Sequence, residues 1–269
     1  MIRNFIVNSI ILLTMCGCQS DVSTSLSSKS VSLALKNQPA EDFIPKTINM
    51  VGIGDSLTKG VGDEAKLGGY FGRITEKLET QDNIKEVNVM NFGVKGHKTS
   101  NLQKKLKDKE VINGIKEADI IVMTIGGNDI MNVVRKNIFS LDFEPFRQEQ
   151  KNYKKRFESI LTTVRSYNPS AKIVYIGLYN PFKYMLPEIT EIDTIMEEWN
   201  NDSKEIILSD VNGVFVSVSD IFSTTTNGKL LYKDEFHPNE IGYSLMADRI
   251  YESLKNTELT NTDSIGRKE

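Results

Sequence analysis

The chain has few cysteines and few histidines. Its 269 residues include two cysteines, Cys16 and Cys18, and two histidines, His97 and His237. Because both cysteines lie near the beginning of the chain, the remainder can form neither a disulfide nor a cysteine-ligated metal site. A histidine acting as a general base near neutral pH has only two candidates.

An excess of basic charge is also missing. The sequence has 33 Lys and Arg residues against 36 Asp and Glu residues, which gives a net charge of −3. Both signs are mixed along the chain, so nothing in the charge favours a nucleic-acid partner. With 39% hydrophobic and 26% charged residues, the composition is that of a globular protein with one large domain.

The first residues have the pattern of an export signal. Arg3 is followed by the apolar segment Phe5–Met15, which is too short to span a bilayer. The peptide Met15-Cys16-Gly17-Cys18 resembles a bacterial lipobox, in which a small residue precedes a cysteine that is lipidated. We expect residues 1–17 to be a lipoprotein signal peptide and Cys18 to anchor the protein on the extracytoplasmic face of the bacterial membrane. A plain secretory signal or an uncleaved anchor is the alternative.

Polar segments without periodicity flank the central part of the chain. Residues 18–46 are rich in Ser, Thr, Lys and Asn, which is typical of a flexible tether. Residues 256–269 are similar and predict a disordered tail. This leaves residues 47–255 as the folded domain, which we expect to be a monomer.

Apolar strand patterns and amphipathic helix patterns alternate through the domain. Strands are predicted over residues 48–54, 87–92, 119–125, 171–177 and 214–218. Helices are predicted over residues 70–78, 102–115 (in one or two pieces), 146–167, 188–208 and 239–254. The last of them is expected to pack through Ile241, Leu245, Ile250 and Leu254. This alternation indicates a doubly wound parallel sheet, whose ligands bind at the carboxyl ends of the strands.

Glycine-rich and polar clusters follow the first three predicted strands. They are Gly54-Asp55-Ser56-Leu57, the segment from Asn91 to Gly96, and Gly126-Gly127-Asn128-Asp129. A fourth cluster contains Asp234 and His237, and a carboxylate at this spacing can bond Nδ1 and leave Nε2 facing a nucleophile. Each cluster alone is a weak indication, but a parallel sheet would bring them together.

Taken in order, the four clusters resemble the sequence blocks of the SGNH (GDSL-type) hydrolase superfamily. Asn180-Pro181-Phe182 and the segment from Asp234 to Tyr243 are similar to the lipoprotein-type branch of bacterial lipases and acylhydrolases. The resemblance implies a three-layer α/β/α, flavodoxin-like fold with five parallel strands in the order 2-1-3-4-5.

The resemblance also implies roles for individual residues. Ser56 matches the nucleophile, His237 the base and Asp234 the acid that orients the base. The oxyanion hole would consist of the backbone N–H groups of Ser56 and Gly96 and the side-chain amide of Asn128. The implied reaction is hydrolysis of carboxylic esters, either lipid acyl esters or O-acetylated glycans, through an acyl-enzyme and without a metal or cofactor.

Five other residues near these blocks are not expected to take part in the chemical steps. Asp55 and Asp129 are expected to cap turns and bond loop amides. His97, Ile130 and Phe182 follow predicted strands and are candidates for lining the substrate site. The alternative for His97 is a solvated loop residue, and for the apolar loops containing Ile130 and Phe182 it is packing in the core.

Three other functions fit parts of the pattern. A nucleotide- or flavin-binding domain could use Gly52, Gly54, Gly60 and Gly62, but the third glycine of the dinucleotide spacing is missing. A non-catalytic surface lipoprotein that binds glycan or protein would not need the complete set of catalytic candidates. An enzyme with the same fold could instead cleave thioesters.

Overall fold

The computed structural model describes residues 44–137, 143–183, 190–223 and 227–255. The chain divides into two units, residues 1–42 and 43–269, and all of the described residues belong to the second. The predicted signal peptide, Cys18, nearly all of the predicted tether and the predicted tail lie outside the described residues.

Five parallel strands form one sheet. The strands are β1 (Lys46–Gly54), β2 (Ile84–Gly93), β3 (Ile120–Thr124), β4 (Lys172–Ile176) and β5 (Gly213–Val216). Their order across the sheet is β2-β1-β3-β4-β5, and each neighbouring pair is parallel. The predicted strand order 2-1-3-4-5 is therefore confirmed.

Helices connect the strands on both sides of the sheet. They are α1 (Ser56–Lys59), α2 (Gly69–Glu79), α3 (Thr99–Lys105), α4 (Lys109–Glu117), α5 (Gly127–Lys136), α6 (Phe143–Tyr167), α7 (Thr190–Leu208) and α8 (Glu240–Lys255). Short 3-10 turns cover Asp220–Phe222 and Asn227–Leu230. Among the described residues, no helix is both long enough and apolar enough to cross a membrane.

The buried side chains form two layers because successive residues of a strand point to opposite faces of the sheet. Met50 packs with the buried residues of α2 and α8 on one face. Its neighbour Val51 packs with those of α3 to α7 on the other face. The result is the predicted three-layer α/β/α arrangement, with its core on both sides of the sheet.

The inward face predicted for α8 is partly wrong. Ile241 and Leu245 are 52% and 40% exposed, although Ile250 and Leu254 are buried as predicted. The buried stripe begins instead at Tyr243 and continues through Met246 and Ala247. Two apolar stripes are available on this helix, and packing against α2 selects the one that contains Tyr243.

Some predicted boundaries also differ. The segment from Ile130 to Val134, predicted as a loop, lies within α5. The segment over residues 102–115 forms the second of the two predicted possibilities, two helices: α3, which begins earlier, at Thr99, and α4, separated from it at Leu106–Asp108. Strand β1 begins at Lys46, so the last residue of the predicted tether pairs with β2.

Candidate active site

Ser56 lies immediately beyond the carboxyl end of the central strand β1. Gly54 ends the strand with φ of 135°, and a Cβ at this position would lie 2.0 Å from the Thr124 carbonyl oxygen of β3. Asp55 then caps α1 by accepting a hydrogen bond from the Leu57 amide. Ser56 is the first residue of α1, where a backbone N–H has no partner within the helix. The turn therefore holds the Ser56 side chain and amide at the edge of the sheet.

The Ser56 hydroxyl contacts the His237 ring. Ser56 Oγ and His237 Nε2 are 2.8 Å apart, and His237 Nδ1 lies 2.6 Å from Asp234 Oδ2. Ser56 and His237 are 3% and 6% exposed. Three side chains from two distant sequence blocks are thus joined in one hydrogen-bonded chain.

The segment from Asp234 to His237 is a tight turn built around the Asp234 carboxylate. Asp234 Oδ1 accepts hydrogen bonds from the amides of Phe236, at 3.1 Å, and His237, at 3.0 Å. Partial burial by itself would raise the pKa of Asp234, but the hydrogen bonds from the His237 amide, the His237 ring and the Phe236 amide lower it below its ordinary value. The carboxylate therefore remains ionised beside the imidazole ring.

Two neighbouring segments fix this turn in space. The Tyr179 hydroxyl, just beyond β4, donates to the Phe236 carbonyl at 2.6 Å. On the other side, Gly62 adopts φ of 95°, and a Cβ there would lie 2.5 Å from the Pro238 carbonyl oxygen and 3.0 Å from His237 Cβ. Only glycine fits this close approach without displacing the histidine.

The predicted oxyanion donors line one cleft with Ser56 and His237. The cleft has a volume of about 400 Å³, and its lining includes Gly96 and Asn128. Gly96 is exposed with φ of 81°, and a Cβ there would meet no atom within 4 Å. Asn128 Nδ2 donates one hydrogen to the His97 carbonyl at 3.0 Å. This bond fixes the side-chain amide and leaves its second hydrogen for a ligand.

A buried polar chain lies beneath Ser56. Asp55 Oδ1 accepts a 2.7 Å hydrogen bond from the Thr124 hydroxyl, which in turn contacts the Thr58 hydroxyl at 2.7 Å. The Thr58 hydroxyl also contacts that of Tyr70 at 2.8 Å. Burial raises the pKa of Asp55 from its ordinary 3.8 to about 7, despite the hydrogen bonds from Thr124 and Leu57. The capping role predicted for Asp55 is confirmed. Its partner Thr124 could not be found from local sequence, because it lies on a distant strand.

Asp129 connects the beginning of α5, which carries Asn128, to the segment that follows Gly96. Its carboxylate accepts the Thr99 amide at 2.9 Å and the Thr99 hydroxyl at 2.7 Å, both at the beginning of α3. Arg156 of α6 pairs with the same carboxylate at 3.0 Å. Burial raises the pKa of Asp129, although the bonds from Thr99 and Arg156 act in the opposite direction. The predicted bond to a loop amide is confirmed, and Arg156 is a partner that the sequence did not indicate.

The structure does not place the predicted substrate-lining residues around the cleft. Ile130 is 1% exposed and belongs to the core, which is the alternative considered for it. His97 contributes its backbone carbonyl, while its Nδ1 is buried and has no partner among the described residues. Phe182 is half-buried, with its ring 6.4 Å from that of Phe236. None of the three side chains lines the cavities that open at Ser56.

A second, narrower cavity of about 40 Å³ lies beside Ser56 and has a mainly apolar lining. The apolar side chains come from the end of β4 and the segment after it, from α5 and α7, and from the turn formed by Asp234 to His237 (the histidine turn). They are Met131, Ile176, Leu178, Tyr179, Pro181, Met196 and Phe236. Their common signal in the sequence is weak, because only Leu178 to Pro181 directly follow a predicted strand.

A family model described as the GDSL-like lipase/acylhydrolase family matches residues 53–245 of the chain. The YpmR protein of Bacillus subtilis strain 168 is 37% identical over 256 residues, which cover 94% of this chain and 96% of YpmR. The spore germination lipase LipC of Bacillus licheniformis is 26% identical over 210 residues, which cover 76% of this chain and 95% of LipC.

A solved structure supports the same assignment. The lipase Lip_vut3 from a goat rumen metagenome superimposes with a TM-score of 0.69 and 25% identity, covering 77% of this chain and 97% of the lipase. Four sequence blocks, the order of the strands and the family match over most of the domain all agree. The chain therefore belongs to the GDSL-like lipase/acylhydrolase family.

Proposed function

We propose that the protein is a serine ester hydrolase in which Ser56, His237 and Asp234 form the catalytic triad. The observation that carries this proposal is the continuous contact from Ser56 Oγ to His237 Nε2, at 2.8 Å, and from His237 Nδ1 to Asp234 Oδ2, at 2.6 Å. A nucleophile, a base and an orienting acid in hydrogen-bond contact are the arrangement that acyl transfer requires.

The reaction proceeds in two steps. Ser56 Oγ attacks the ester carbonyl carbon while His237 Nε2 takes the hydroxyl proton, and the carbonyl oxygen becomes an oxyanion. When the tetrahedral intermediate collapses, His237 returns the proton to the leaving alcohol and the acyl group remains on Ser56. A water molecule, deprotonated by His237, then attacks the acyl-enzyme and releases the carboxylic acid.

The oxyanion faces neutral donors in both steps. The backbone N–H groups of Ser56 and Gly96 and the side-chain amide of Asn128 line the cleft into which this oxygen would project. Each aimed donor of this kind contributes roughly 3 kcal/mol to lowering the barrier. Because the donors are uncharged, they stabilise the oxyanion without adding a cation beside His237.

The apolar cavity at Ser56 supports an acyl group as the part of the substrate bound there. Its lining combines Met131, Leu178 and Met196, and methionine side chains adapt to irregular apolar ligands. The similarity to LipC, which is named a spore germination lipase, favours lipid acyl esters over O-acetylated glycans as substrates. Thioester hydrolysis is the alternative reaction at the same serine.

The chain length of the acyl group and the role of Ser56 can be tested together. We would measure kcat/KM for p-nitrophenyl esters from acetyl to decanoyl with the wild-type protein and with Ser56→Ala. Ser166→Ala is a matched control because Ser166 is exposed on α6, away from the cleft. We expect Ser56→Ala to lose activity and Ser166→Ala to keep it. We also expect a fluorophosphonate to label the Ser56 peptide of the wild-type protein.

Four outcomes would decide against parts of this proposal. Undiminished hydrolysis by Ser56→Ala would exclude Ser56 as the nucleophile. A sharp preference for acetyl over longer chains would exclude lipid acyl esters and leave O-acetylated glycans. A matched set of thioesters, cleaved faster than the oxygen esters, would establish the thioesterase instead. A protein that cleaves none of these would be the non-catalytic lipoprotein.

The proposed location is the extracytoplasmic face of a bacterial membrane, with Cys18 as the lipid-modified residue. It is supported by Arg3, the apolar segment Phe5–Met15 and the small residue Gly17 before Cys18. Metabolic labelling with a fatty-acid probe tests it. Label should disappear in Cys18→Ala and persist in the control Cys16→Ala, and the opposite result would move the modification to Cys16.

A further inference from the structure

The two cavities that meet at Ser56 differ in chemical character. The narrow one has the apolar lining described above, without a basic side chain among its described residues. The wider one contains three basic side chains, Lys95, Lys98 and Arg135. Its described lining contains no Asp or Glu. We call the wider cavity the basic compartment.

The three cations come from different elements and converge on one side of Ser56. Lys95 and Lys98 lie on either side of Gly96 and His97, in the loop between β2 and α3, and Arg135 is in the last turn of α5. Lys95 and Arg135 are exposed, and Lys98 is half-buried. Two elements that supply proposed oxyanion donors thus also supply positive charge.

Two basic residues near the site form ion pairs with carboxylates, in contrast to Lys95, Lys98 and Arg135. Arg156 pairs with Asp129 and Glu149, and Lys233 pairs with Glu64. In the part of the chain that the structure describes, no carboxylate forms an ion pair with Lys95, Lys98 or Arg135. Unpaired like charges around a cleft create a positive potential that attracts an anion.

The position of His237 decides which part of a substrate would occupy the basic compartment. His237 lines this compartment and is absent from the lining of the apolar cavity. In acyl transfer the histidine gives its proton to the leaving alcohol, so that alcohol must lie on the His237 side of Ser56. The acyl group then occupies the apolar cavity, and the alcohol portion extends into the basic compartment.

The geometry points to an ester whose alcohol portion carries an anionic group, such as a phosphate, as the preferred substrate. This inference rests on the proposed function, because it assumes that Ser56 and His237 cleave an ester. Lys95, Lys98 and Arg135 would contact the anionic group and determine selectivity.

The test compares two soluble esters that differ only in charge. They are hexanoyl-glycerol and hexanoyl-glycerol 3-phosphate, used below the concentration at which either aggregates, with hexanoate release as the measurement. The variant is Lys95→Ala/Lys98→Ala/Arg135→Ala in the full chain. Lys136→Ala is the matched control, because Lys136 is exposed and adjacent to Arg135 on α5 but does not line the basic compartment.

We expect the wild-type protein to prefer the phosphate ester. The ratio of kcat/KM for the phosphate ester to that for the neutral ester should be about tenfold, which corresponds to about 1.4 kcal/mol. The triple variant should lose this preference, Arg135→Ala alone should reduce the ratio about threefold, and Lys136→Ala should not change it. Raising the ionic strength from about 50 mM to about 500 mM should also lower the ratio in the wild-type protein.

The possible failures are distinguishable. Equal wild-type kcat/KM values for the two esters, with a ratio unaffected by the triple substitution, would overturn the inference and leave the proposed function intact. Undiminished hydrolysis of both esters by Ser56→Ala would overturn the proposed function, and this inference with it. If the triple variant loses binding to phosphatidylglycerol vesicles while its ratio for the soluble esters is unchanged, the cations serve contact with a membrane surface, and the inference is wrong.

Discussion

At the scale of single residues, Ser56 lies between a histidine that faces the cleft and a carboxyl group that is buried beneath it. On its outer side is His237, which must reach the hydroxyl from the cleft. On its inner side is Asp55, a carboxyl group that is 3% exposed and bonded to the Thr124 hydroxyl and the Leu57 amide. The buried carboxyl fixes the turn that presents the serine, and its burial makes the charged form unfavourable.

Asp55 should make the stability of the protein depend on pH. Burial raises the pKa of Asp55 from 3.8 to about 7. At intermediate pH the folded protein therefore keeps a proton that the unfolded chain has released, and rising pH favours the unfolded chain. Between about pH 5 and pH 8, the free energy of unfolding of the wild-type protein should fall by about 2 kcal/mol relative to that of Asp55→Asn.

Asp55→Asn is a suitable reference because both hydrogen bonds to Asp55 end on Oδ1, which an asparagine retains. Urea denaturation of both proteins across this pH range measures the difference. A difference that is constant with pH would show that Asp55 titrates at its ordinary pKa.

Gly62 should be required for the position of His237. In Gly62→Ala, the new Cβ would lie 2.5 Å from the Pro238 carbonyl oxygen and 3.0 Å from His237 Cβ, so the histidine turn must move. We expect kcat/KM for p-nitrophenyl butyrate to fall at least about tenfold, since small displacements of a catalytic base reduce the rate strongly.

Gly68→Ala is the control that distinguishes displacement of His237 from backbone strain, because it introduces the same kind of strain without a close contact. Gly68 has φ of 83°, similar to the 95° of Gly62, but the nearest atom to a Cβ there is 3.7 Å away. Both variants should lose about 1 kcal/mol of stability because of the positive φ. Equal losses of activity in the two variants would show that strain, and not movement of His237, is responsible.

At the scale of secondary-structure elements, part of the site lies at the amino-terminal ends of two helices, which hydrogen bonds join to each other. The amino-terminal end of α5 supplies Asn128 and Asp129, and the amino-terminal end of α3 supplies Thr99. Asp129 bonds Thr99, and Arg156 of α6 bonds both of them. The loop containing Gly96 and the Asn128 side chain are therefore held at a fixed separation by one buried carboxylate.

Removal of the Arg156 guanidinium should destabilise the fold. The side chain of Asp129 is 1% exposed, so Arg156→Ala leaves a buried carboxylate without its counter-ion. Breaking a buried pair in this way costs about 3 kcal/mol of unfolding free energy. The activity should also fall, because the Gly96 loop and the beginning of α5, which supply the donors, lose their common support.

The matched control is Arg147→Ala on the same helix. Arg147 pairs with Glu198, but the two side chains are 55% and 34% exposed. An exposed pair contributes less than about 1 kcal/mol. If the two variants unfold at the same urea concentration, the pairing of Arg156 with the buried Asp129 carboxylate does not stabilise the fold more than an exposed pair does.

At the scale of the whole molecule, the fold and the site are contained in the described part of the second unit. The two buried clusters extend from Met50 to Leu254, and the proposed catalytic residues lie between these limits. Ser56 and His237 are 181 positions apart in the chain. The site therefore exists only when both ends of this domain are folded together.

A chain limited to residues 44–255 should accordingly be as stable and as active as one that begins at residue 19. We expect the same midpoint of thermal unfolding and the same kcat/KM for p-nitrophenyl butyrate, because the shorter chain keeps every core side chain of the described residues. Circular dichroism and steady-state kinetics measure both. A lower midpoint in the shorter chain would show that residues 19–43 or the end of the chain contribute to the folded state.

Much of this arrangement follows from patterns within short stretches of the sequence. The alternation of strand and helix patterns predicts a doubly wound parallel sheet, and the resemblance of the four blocks to the SGNH hydrolases implies the three layers and the strand order 2-1-3-4-5. The contact between Asp234 and His237 was predicted because the two residues are three positions apart and one turn suffices. The prediction for α8 was partly wrong, because the choice between two apolar stripes depends on α2, which is distant in sequence.

The sequence by itself determined the type and order of the elements, the residues available for chemistry and the local Asp234–His237 turn, since these depend on periodicity and short separations. Only the tertiary structure decided that Ser56 Oγ lies 2.8 Å from His237 Nε2, that Arg156 pairs with Asp129, and that Ile130 packs in the core while Met131 lines the cleft. It also decided that Lys95, Lys98 and Arg135 surround one compartment. The physical reason is that contacts between distant residues depend on helix phase and on packing between layers, and no short pattern specifies either.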